Sequence, residues 1–350
     1  MKYNSWLLLF AMIFTLSCRD RNDFEPFSAQ DNFDLLWSIL DERYCFFEMK
    51  EVDWDEVRVR YQQELRELAP PGERISRDDF FDLLASMFYE LKDGHVNLYS
   101  AFDVSRHEAW FDDYPDNFDY NIVRDNYLTK KHRIAAGFRY NLLEQCNIGY
   151  VYYANFSSPV GEGNMEEVFS KFRDCNGLII DVRNNGGGNL SYVEAITSRF
   201  TREKTLVGYT SYKTGKGHND FSEPRAVYIE PTRYAVYDKP VVVLTNRRCY
   251  SATNDFVNRM RYLPQVVVMG DKTGGGGGFP FSSELPIGWG VRFSSAATFD
   301  RDMNHIESGV EPHIHVSTQP GDAGQGIDTI IEAAITNILE RNKGVLMRTP

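Results

Sequence analysis

The sequence predicts an α/β fold with a largely parallel central sheet, preceded by a helical N-terminal region. Three short, mainly apolar runs, 177–182, 241–244 and 266–269, have the composition of strands that are buried on both faces of a sheet. Helical patterns separate these runs, and this alternation is typical of parallel sheets. With 350 residues and 42% hydrophobic content, the chain is long enough for one large domain and a smaller one.

The first residues have the features of an export signal. The apolar run 6–16 follows a lysine and is too short to span a bilayer as a permanent helix. Cys18 comes directly after it, as in a bacterial lipobox, although Thr15 stands where leucine is usual. We therefore expect a signal peptide over 1–17, a lipidated tether over 18–30 and an exported cell-envelope lipoprotein with a membrane anchor at Cys18. An ordinary secretory signal is the alternative.

The mature chain divides into three parts. Apolar residues repeat at helical spacing within 33–40, 54–65 and 80–91, and a strand at 96–99 follows. The next segment lacks any long periodicity, and strands and helices alternate after it. We predict a helical region, a connecting segment and a core, at residues 31–100, 101–147 and 148–343.

The predicted elements of the core follow one another closely. In order, they are a strand at 149–153, a helix at 165–172, a strand at 177–182, a helix at 192–200, a β-rich insertion at about 204–236, a strand at 241–244, a helix from Ala252, a strand at 266–269, two further strands and a closing helix at 327–339.

Ser251 lies where the buried strand 241–244 gives way to a helical pattern that starts at Ala252. A hydroxyl there is close to the positive end of a helix, where developing negative charge is stabilised. Taken alone, an N-cap role is the simpler interpretation of Ser251. The glycine-rich turn 184–188 follows another buried strand and can supply backbone N–H donors, so we expect the two turns side by side at one sheet edge.

Composition argues against several functions. A net charge of −12 without any cluster of Lys and Arg disfavours nucleic-acid binding. The cysteines after Cys18 lack CxxC spacing, and His313 and His315 alternate along a probable strand, so with His305 they do not form a convincing metal site. Cys249 is a possible thiol nucleophile, but it is expected to pack in the sheet. We predict no metal and no other cofactor.

Five motifs recur in a characteristic order along the chain. They are 91–95 (LKDGH), 177–188 (GLIIDVRNNGGG), 250–252 (YSA), 270–275 (GDKTGG) and 309–312 (GVEP). Together they resemble the signature of the C-terminal processing and tricorn peptidases, the S41 serine peptidases, over roughly residues 30–340. The resemblance implies a crotonase-like α/β core with a serine nucleophile that cleaves peptide or protein substrates. The connecting segment is about half as long as the PDZ domain of many relatives, so none is expected.

The family activates its serine in two ways. One branch uses a lysine in the glycine-rich loop, but the matching position here is Gly276, which cannot act as a base. The other branch, typified by tricorn, uses a histidine from the N-terminal region and a glutamate near the C-terminus. The resemblance to this branch implies a triad of Ser251, His95 and Glu307. The ordinary pKa of histidine, about 6.5, suits a base at neutral pH.

The resemblance also implies the groups around the triad. By motif position, the backbone N–H groups of Gly187 and Ala252 would be the oxyanion donors. The register of Glu307 leaves Glu311 and Glu284 as alternatives for the acid. Five consecutive glycines, 274–278, predict a mobile loop beside the site.

Two other functions stay open at this stage. The first is a catalytically inactive peptide- or ligand-binding module on a protease scaffold, because Pro312-His313 stands where the family often has Pro-Asp. The second is acyl-CoA chemistry, by analogy with crotonase-like architecture alone. It ranks lower, since an exported protein meets little CoA and Ser251 would be unexplained.

Overall fold

The computed structural model describes residues 28–70, 74–108, 111 and 114–344. The predicted signal peptide, the predicted lipidation site Cys18 and nearly all of the predicted tether lie outside these residues. Among the described residues, no helix is both long and apolar enough to cross a membrane.

Three helices form the N-terminal region: α1 (Ala29–Arg43), α2 (Trp54–Leu68) and α3 (Arg77–Tyr89). Each begins at a residue whose side chain accepts a backbone N–H of the first turn, namely Ser28, Asp53 and Ser76. Ser28 forms a capping box with Asp31, so α1 begins at Ala29. The last two residues of the predicted tether, 18–30, thus lie in the first turn of α1.

Twelve strands are described. They are β1 (Asn97–Tyr99), β2 (Arg133–Ala135), β3 (Phe138–Leu143), β4 (Ile148–Tyr153), β5 (Gly177–Asp181), β6 (Thr205–Tyr212), β7 (Arg225–Ile229), β8 (Val241–Thr245), β9 (Val266–Gly270), β10 (Gly278–Glu284), β11 (Gly290–Phe299) and β12 (Ile314–His315). They form a seven-stranded sheet and a five-stranded sheet.

The seven-stranded sheet has the order β12-β9-β8-β5-β4-β3-β2 and is parallel from β12 to β4. At its other end β3 and β2 add in antiparallel orientation. Residues 133–143, which belong to the predicted connecting segment 101–147, thus pair in the same sheet as the strands of the predicted core. β2 has only three residues, and both strands carry exposed or partly exposed positions, so neither forms a continuous apolar run.

Helices cover both faces of this sheet. They are α4 (Tyr120–Ile122), which continues as a π-helix at Val123–Leu128, α5 (Glu162–Lys171), α6 (Leu190–Thr197), α7 (Ala252–Met260) and α8 (Thr329–Asn342). Val241 and Val243 of β8 pack in the core that contains α5, α6 and α7. Val242 and Leu244 point to the opposite face, against α8 and the π-helix. This two-sided burial explains the continuous apolar run of β8.

The five-stranded antiparallel sheet joins the N-terminal helices to the core. Its order is β1-β11-β6-β7, and β10 also pairs with β11. One hydrophobic cluster contains residues of α1, α2, α3, β1 and β11. This shared core holds the N-terminal helices and the turn before β1 against the five-stranded sheet. The predicted fold class, an α/β core with a helical N-terminal region, is confirmed.

Candidate active site

Ser251 occupies the turn between the end of β8 and the start of α7. Its φ is +58° and its ψ is −120°, a conformation that is strained for a residue with a side chain. Its backbone N–H donates to the carbonyl of Gly275 at 2.8 Å. Its side chain makes no capping hydrogen bond to α7, so the N-cap interpretation does not explain why a serine is here.

The hydroxyl of Ser251 instead faces His95. Its Oγ lies 3.0 Å from Nε2 of His95, although the two residues are 156 positions apart in the sequence. His95 belongs to the turn between α3 and β1, and its own N–H donates to Oδ1 of Asp93 at 2.7 Å. The structure therefore brings the predicted nucleophile and the predicted base within hydrogen-bonding distance.

The imidazole of His95 is buried, with 2% of the residue exposed. Burial lowers its pKa to about 4, and the charges of Arg292 and Lys50 act in the same direction, while Asp93 opposes them. His95 is therefore neutral at neutral pH and able to accept a proton. Within the described part of the chain, its other ring nitrogen, Nδ1, is buried and has no hydrogen-bond partner.

Glu307 lies in the same buried group of charges but does not contact that nitrogen. Its Oε1 is 3.1 Å from Nζ of Lys50, and its Oε2 accepts the N–H of Gly277 at 2.8 Å. Burial and the charge of Asp93 outweigh Lys50 and raise the pKa of Glu307 to about 8. The carboxyl group thus favours its neutral form at neutral pH.

The two alternative acids, Glu311 and Glu284, are not buried with these charges. Glu311 is largely exposed and pairs with Lys272 at 3.0 Å and with His315 at 3.3 Å. Glu284 is exposed at the end of β10. Of the three glutamates considered from sequence, Glu307 is the buried one.

Asp93 and Lys50 are site residues that the sequence interpretation missed. Asp93 is 1% exposed and accepts hydrogen bonds from His95 N, from Tyr44 Oη at 3.1 Å and from Ser294 Oγ at 2.9 Å. Burial opposes its charge, but Lys50, His95 and these donors outweigh burial and lower its pKa. The motif 91–95 contains Asp93 and was a usable signal, whereas Lys50 lies between α1 and α2 outside any motif.

The glycine-rich turn after β5 touches the Ser251 turn, as expected from the parallel pairing of β5 with β8. Gly187 has a φ of +99°, and a Cβ there would come within 2.9 Å of Ala252 N. Ala252 opens α7, where the first N–H groups have no acceptor inside the helix. The N–H of Gly187 donates to Oδ1 of Asn185 at 3.0 Å, so this predicted oxyanion donor is already engaged.

The loop 274–278 is anchored rather than open. A Cβ on Gly275, whose φ is +88°, would overlap the carbonyl oxygen of Glu307. A Cβ on Gly276 would meet the ring of Tyr250 at 2.6 Å, and the centre of that ring is 5.0 Å from the His95 ring. Close packing of the backbone therefore explains the glycines of this loop, which was expected to be mobile. The ring of Tyr250 therefore packs directly on Gly276, the position that matches the lysine of the other branch in sequence.

The remaining candidates do not join the site. Cys249 is fully buried, its Sγ donates to the carbonyl of Val182 at 3.0 Å, and burial raises its pKa to about 12. His305 packs between the rings of Phe46 and Phe299, whereas His315 pairs with Glu311. Within the described ranges, no three His, Cys, Asp or Glu side chains are grouped as metal ligands.

Comparisons with known proteins identify relatives of this chain by family and by fold. The model of peptidase family S41 matches residues 147–316, and that of the tricorn protease C1 domain matches residues 28–89. The structure of a putative peptidase from Parabacteroides merdae ATCC 43184 is 51% identical, with a TM-score of 0.85, over 91% of this chain and 99% of that chain. Mature CPAF is 14% identical, with a TM-score of 0.67 over 91% of this chain and 97% of its own, a likeness of fold.

A curated relative, a protein from Chlamydia trachomatis serovar D, is 31% identical over 107 residues, which are 28% of this chain and 18% of that protein. The chain thus matches less than a fifth of the length of that relative. The fold and the serine–histidine pair define the class of serine-type peptidases, which are hydrolases. The chain belongs to peptidase family S41.

Proposed function

We propose that this protein hydrolyses peptide bonds through an acyl-enzyme on Ser251, with His95 as its general base and Glu307 as the supporting carboxylate. The observation that carries the proposal is the 3.0 Å contact between Ser251 Oγ and His95 Nε2. The strained turn at Ser251 supports it, because strain of this kind clusters at functional sites.

The proposed reaction has two stages. Ser251 Oγ attacks the peptide carbonyl while His95 Nε2 takes the hydroxyl proton, and the N–H groups of Ala252 and Gly187 stabilise the oxyanion. His95 then gives the proton to the leaving amine, and an acyl ester remains on Ser251. Water attacks the ester, with His95 taking and returning a proton, and the serine is restored. Gly187 must exchange its bond to Asn185 for the oxyanion.

Formation of the imidazolium ion requires negative charge nearby. Asp93 supplies such charge in this geometry, since its carboxylate raises the pKa of His95 against the effect of burial. Glu307 is proposed to contribute when the charge on His95 develops, because a positive imidazolium favours ionisation of a neighbouring carboxyl group. Lys50 holds Glu307 through Oε1, so Lys50 is a positioning residue in this scheme.

The first test is Ser251→Ala together with an active-site label. A fluorophosphonate probe should form an Oγ–P bond with the wild-type protein, release fluoride and leave the serine proton on His95. The variant should neither label nor hydrolyse a casein or peptide-library substrate. Ser191→Ala is the matched control, because Ser191 is exposed in the first turn of α6. Unchanged turnover in Ser251→Ala would overturn the proposal.

A second candidate function is a catalytically inactive peptide- or ligand-binding module. One observation favours it: His95 Nδ1 has no partner among the described residues, while Glu307 is held by Lys50. The same probe separates the two functions. A folded wild-type protein that binds peptides but never labels would support the binding module.

We also propose that the protein is exported and anchored to a membrane through lipid on Cys18. The proposal rests on the apolar run 6–16 and the cysteine that follows it. Lipid labelling of the expressed protein tests it directly. Incorporation of labelled fatty acid should be lost in Cys18→Ala, and equal incorporation in both proteins, or in neither, would reject the anchor.

A further inference from the structure

A surface cavity of about 240 Å³ lies beside the candidate active site. It is lined by Gly94, His107, Glu108, Phe111, Asn184, Gly186, Arg248 and Tyr250. Three of these residues, Gly94, Gly186 and Tyr250, directly precede His95, Gly187 and Ser251 in the chain. The cavity therefore adjoins the base, the oxyanion turn and the nucleophile together. It is smaller than the pockets of roughly 300–1,000 Å³ that hold whole small-molecule ligands, as suits a subsite for part of a longer chain.

The charge of this cavity is set by Arg248. Its exposed guanidinium group stacks on the ring of Phe111, 4.3 Å from the ring centre. Among the described residues, Arg248 has no acidic partner, and its side chain donates no hydrogen bond. Glu108, the acidic residue of the lining, has a partner outside the cavity in Arg106, at 3.6 Å. Burial lowers the pKa of His107, so that side chain is neutral at neutral pH.

Arg247, the residue before Arg248, is held in a different way. Arg247 stacks on Tyr114 at 3.5 Å and also donates to the carbonyl of Thr273 at 3.4 Å, so it is tied to the structure of the turn. Among the residues that the structure describes, Arg248 is held only through the flat face of its guanidinium group, on Phe111, which leaves the N–H edge of that group available. A planar guanidinium edge matches a carboxylate in two parallel hydrogen bonds.

We propose that Arg248 binds a carboxylate of the substrate beside the scissile bond, either an acidic side chain or the C-terminal carboxylate of a peptide. This inference rests on the proposed peptidase function and adds a substrate class to it. The stacking on Phe111 orients the guanidinium group before substrate arrives, which reduces the entropy lost on binding. A chain with a net charge of −12 otherwise repels acidic peptides, so a local cation is needed to select them.

Binding can be measured without turnover in Ser251→Ala. Fluorescence anisotropy would compare peptides that differ only as Asp or Asn, and peptides that end in a free acid or an amide. Adding Arg248→Gln should weaken binding of the carboxylate peptides about tenfold or more and leave the neutral ones unchanged. Arg202→Gln, which removes an equal charge from an exposed pair with Asp238 outside the cavity lining, should leave the Asp to Asn ratio as it is.

The two peptide pairs identify the source of the carboxylate. A preference for an amide-capped Asp peptide over its Asn twin indicates an acidic side chain, whereas a preference for the free acid over the amide indicates the C-terminus. Arg248→Glu should reverse the preference toward Lys-containing peptides. Ratios that are the same with and without Arg248→Gln would overturn the inference.

Failure of the proposed function gives a different pattern. If the wild-type protein never hydrolyses peptides but Arg248→Gln still removes a carboxylate preference in binding, the peptidase mechanism is wrong and the subsite stands. If peptides are hydrolysed without any preference that depends on Arg248, the subsite is wrong and the mechanism stands.

Discussion

Replacing Glu307 by glutamine should remove a pH-dependent destabilisation of the folded protein. Burial and the charge of Asp93 raise the pKa of Glu307 from 4.5 to about 8. Between these values the folded state keeps a proton that the unfolded chain releases, so the free energy of unfolding falls as the pH rises. A pKa raised from 4.5 to about 8 corresponds to a loss of about 5 kcal/mol by pH 8 or above.

Glutamine resembles the neutral form of Glu307 and keeps an oxygen for the N–H of Gly277. We expect the variant to match the wild-type protein near pH 5 and to exceed its stability by up to about 5 kcal/mol at pH 9. Urea unfolding at one-unit steps from pH 5 to pH 9 measures the difference. Titrations that both proteins share, such as that of His95, cancel in this comparison.

Glu311→Gln is the matched control, because Glu311 is largely exposed and pairs with Lys272. Its effect should stay within about 1 kcal/mol at every pH. The reasoning would be refuted if Glu307→Gln cost about 3–5 kcal/mol throughout the range. That result would mean that Glu307 is ionised at every pH tested and that the variant breaks a buried ion pair with Lys50.

Three further predictions concern other parts of the molecule. The acidic limb of the pH profile of kcat/KM should lie near pH 4. His95 must be neutral to act as a base, and burial lowers its pKa to about 4. An acidic limb near pH 6.5 would contradict this prediction. Gly275→Ala should lower the Tm strongly, since its φ is +88° and the new Cβ would overlap a carbonyl oxygen, whereas Gly163→Ala, in open space on α5, should not. Arg183→Met should cost about 3–5 kcal/mol in urea unfolding, because it leaves two buried carboxylates without their cation. Arg202→Met is the control for Arg183→Met, because Arg202 pairs with Asp238 at the surface, and it should cost less than about 1 kcal/mol. Equal costs of the two changes would disprove the role of burial.

Local pattern was enough to predict the central strands. The mainly apolar runs 177–182 and 241–244 correspond to β5 and β8, because strands buried on both faces are apolar at most positions. Pattern failed for β2 and β3, which lie at the antiparallel end of the sheet with several partly exposed residues. Their membership of the core depends on pairing with β4, which no local signal records.

The site was predictable to different degrees. The position of Ser251 follows from a strand that ends before a helix, which is a local signal. The roles of His95 and Glu307 were predicted only from the resemblance of motifs. No local pattern in the sequence relates His95 to Ser251, which lies 156 positions away. In the structure Ser251 contacts His95, whereas Glu307 contacts Lys50 and not His95.

The sequence by itself determined the class of fold, the position of the serine turn and the family, because these depend on periodicity and on short motifs. Tertiary structure decided the electrostatics. Asp93, Lys50 and Glu307 are ordinary charged residues in the sequence, and their shifted pKa values arise when folding removes them from water and places them together. The anchored loop has the same origin, since glycine is required where the backbone of 274–278 packs against Glu307 and Tyr250.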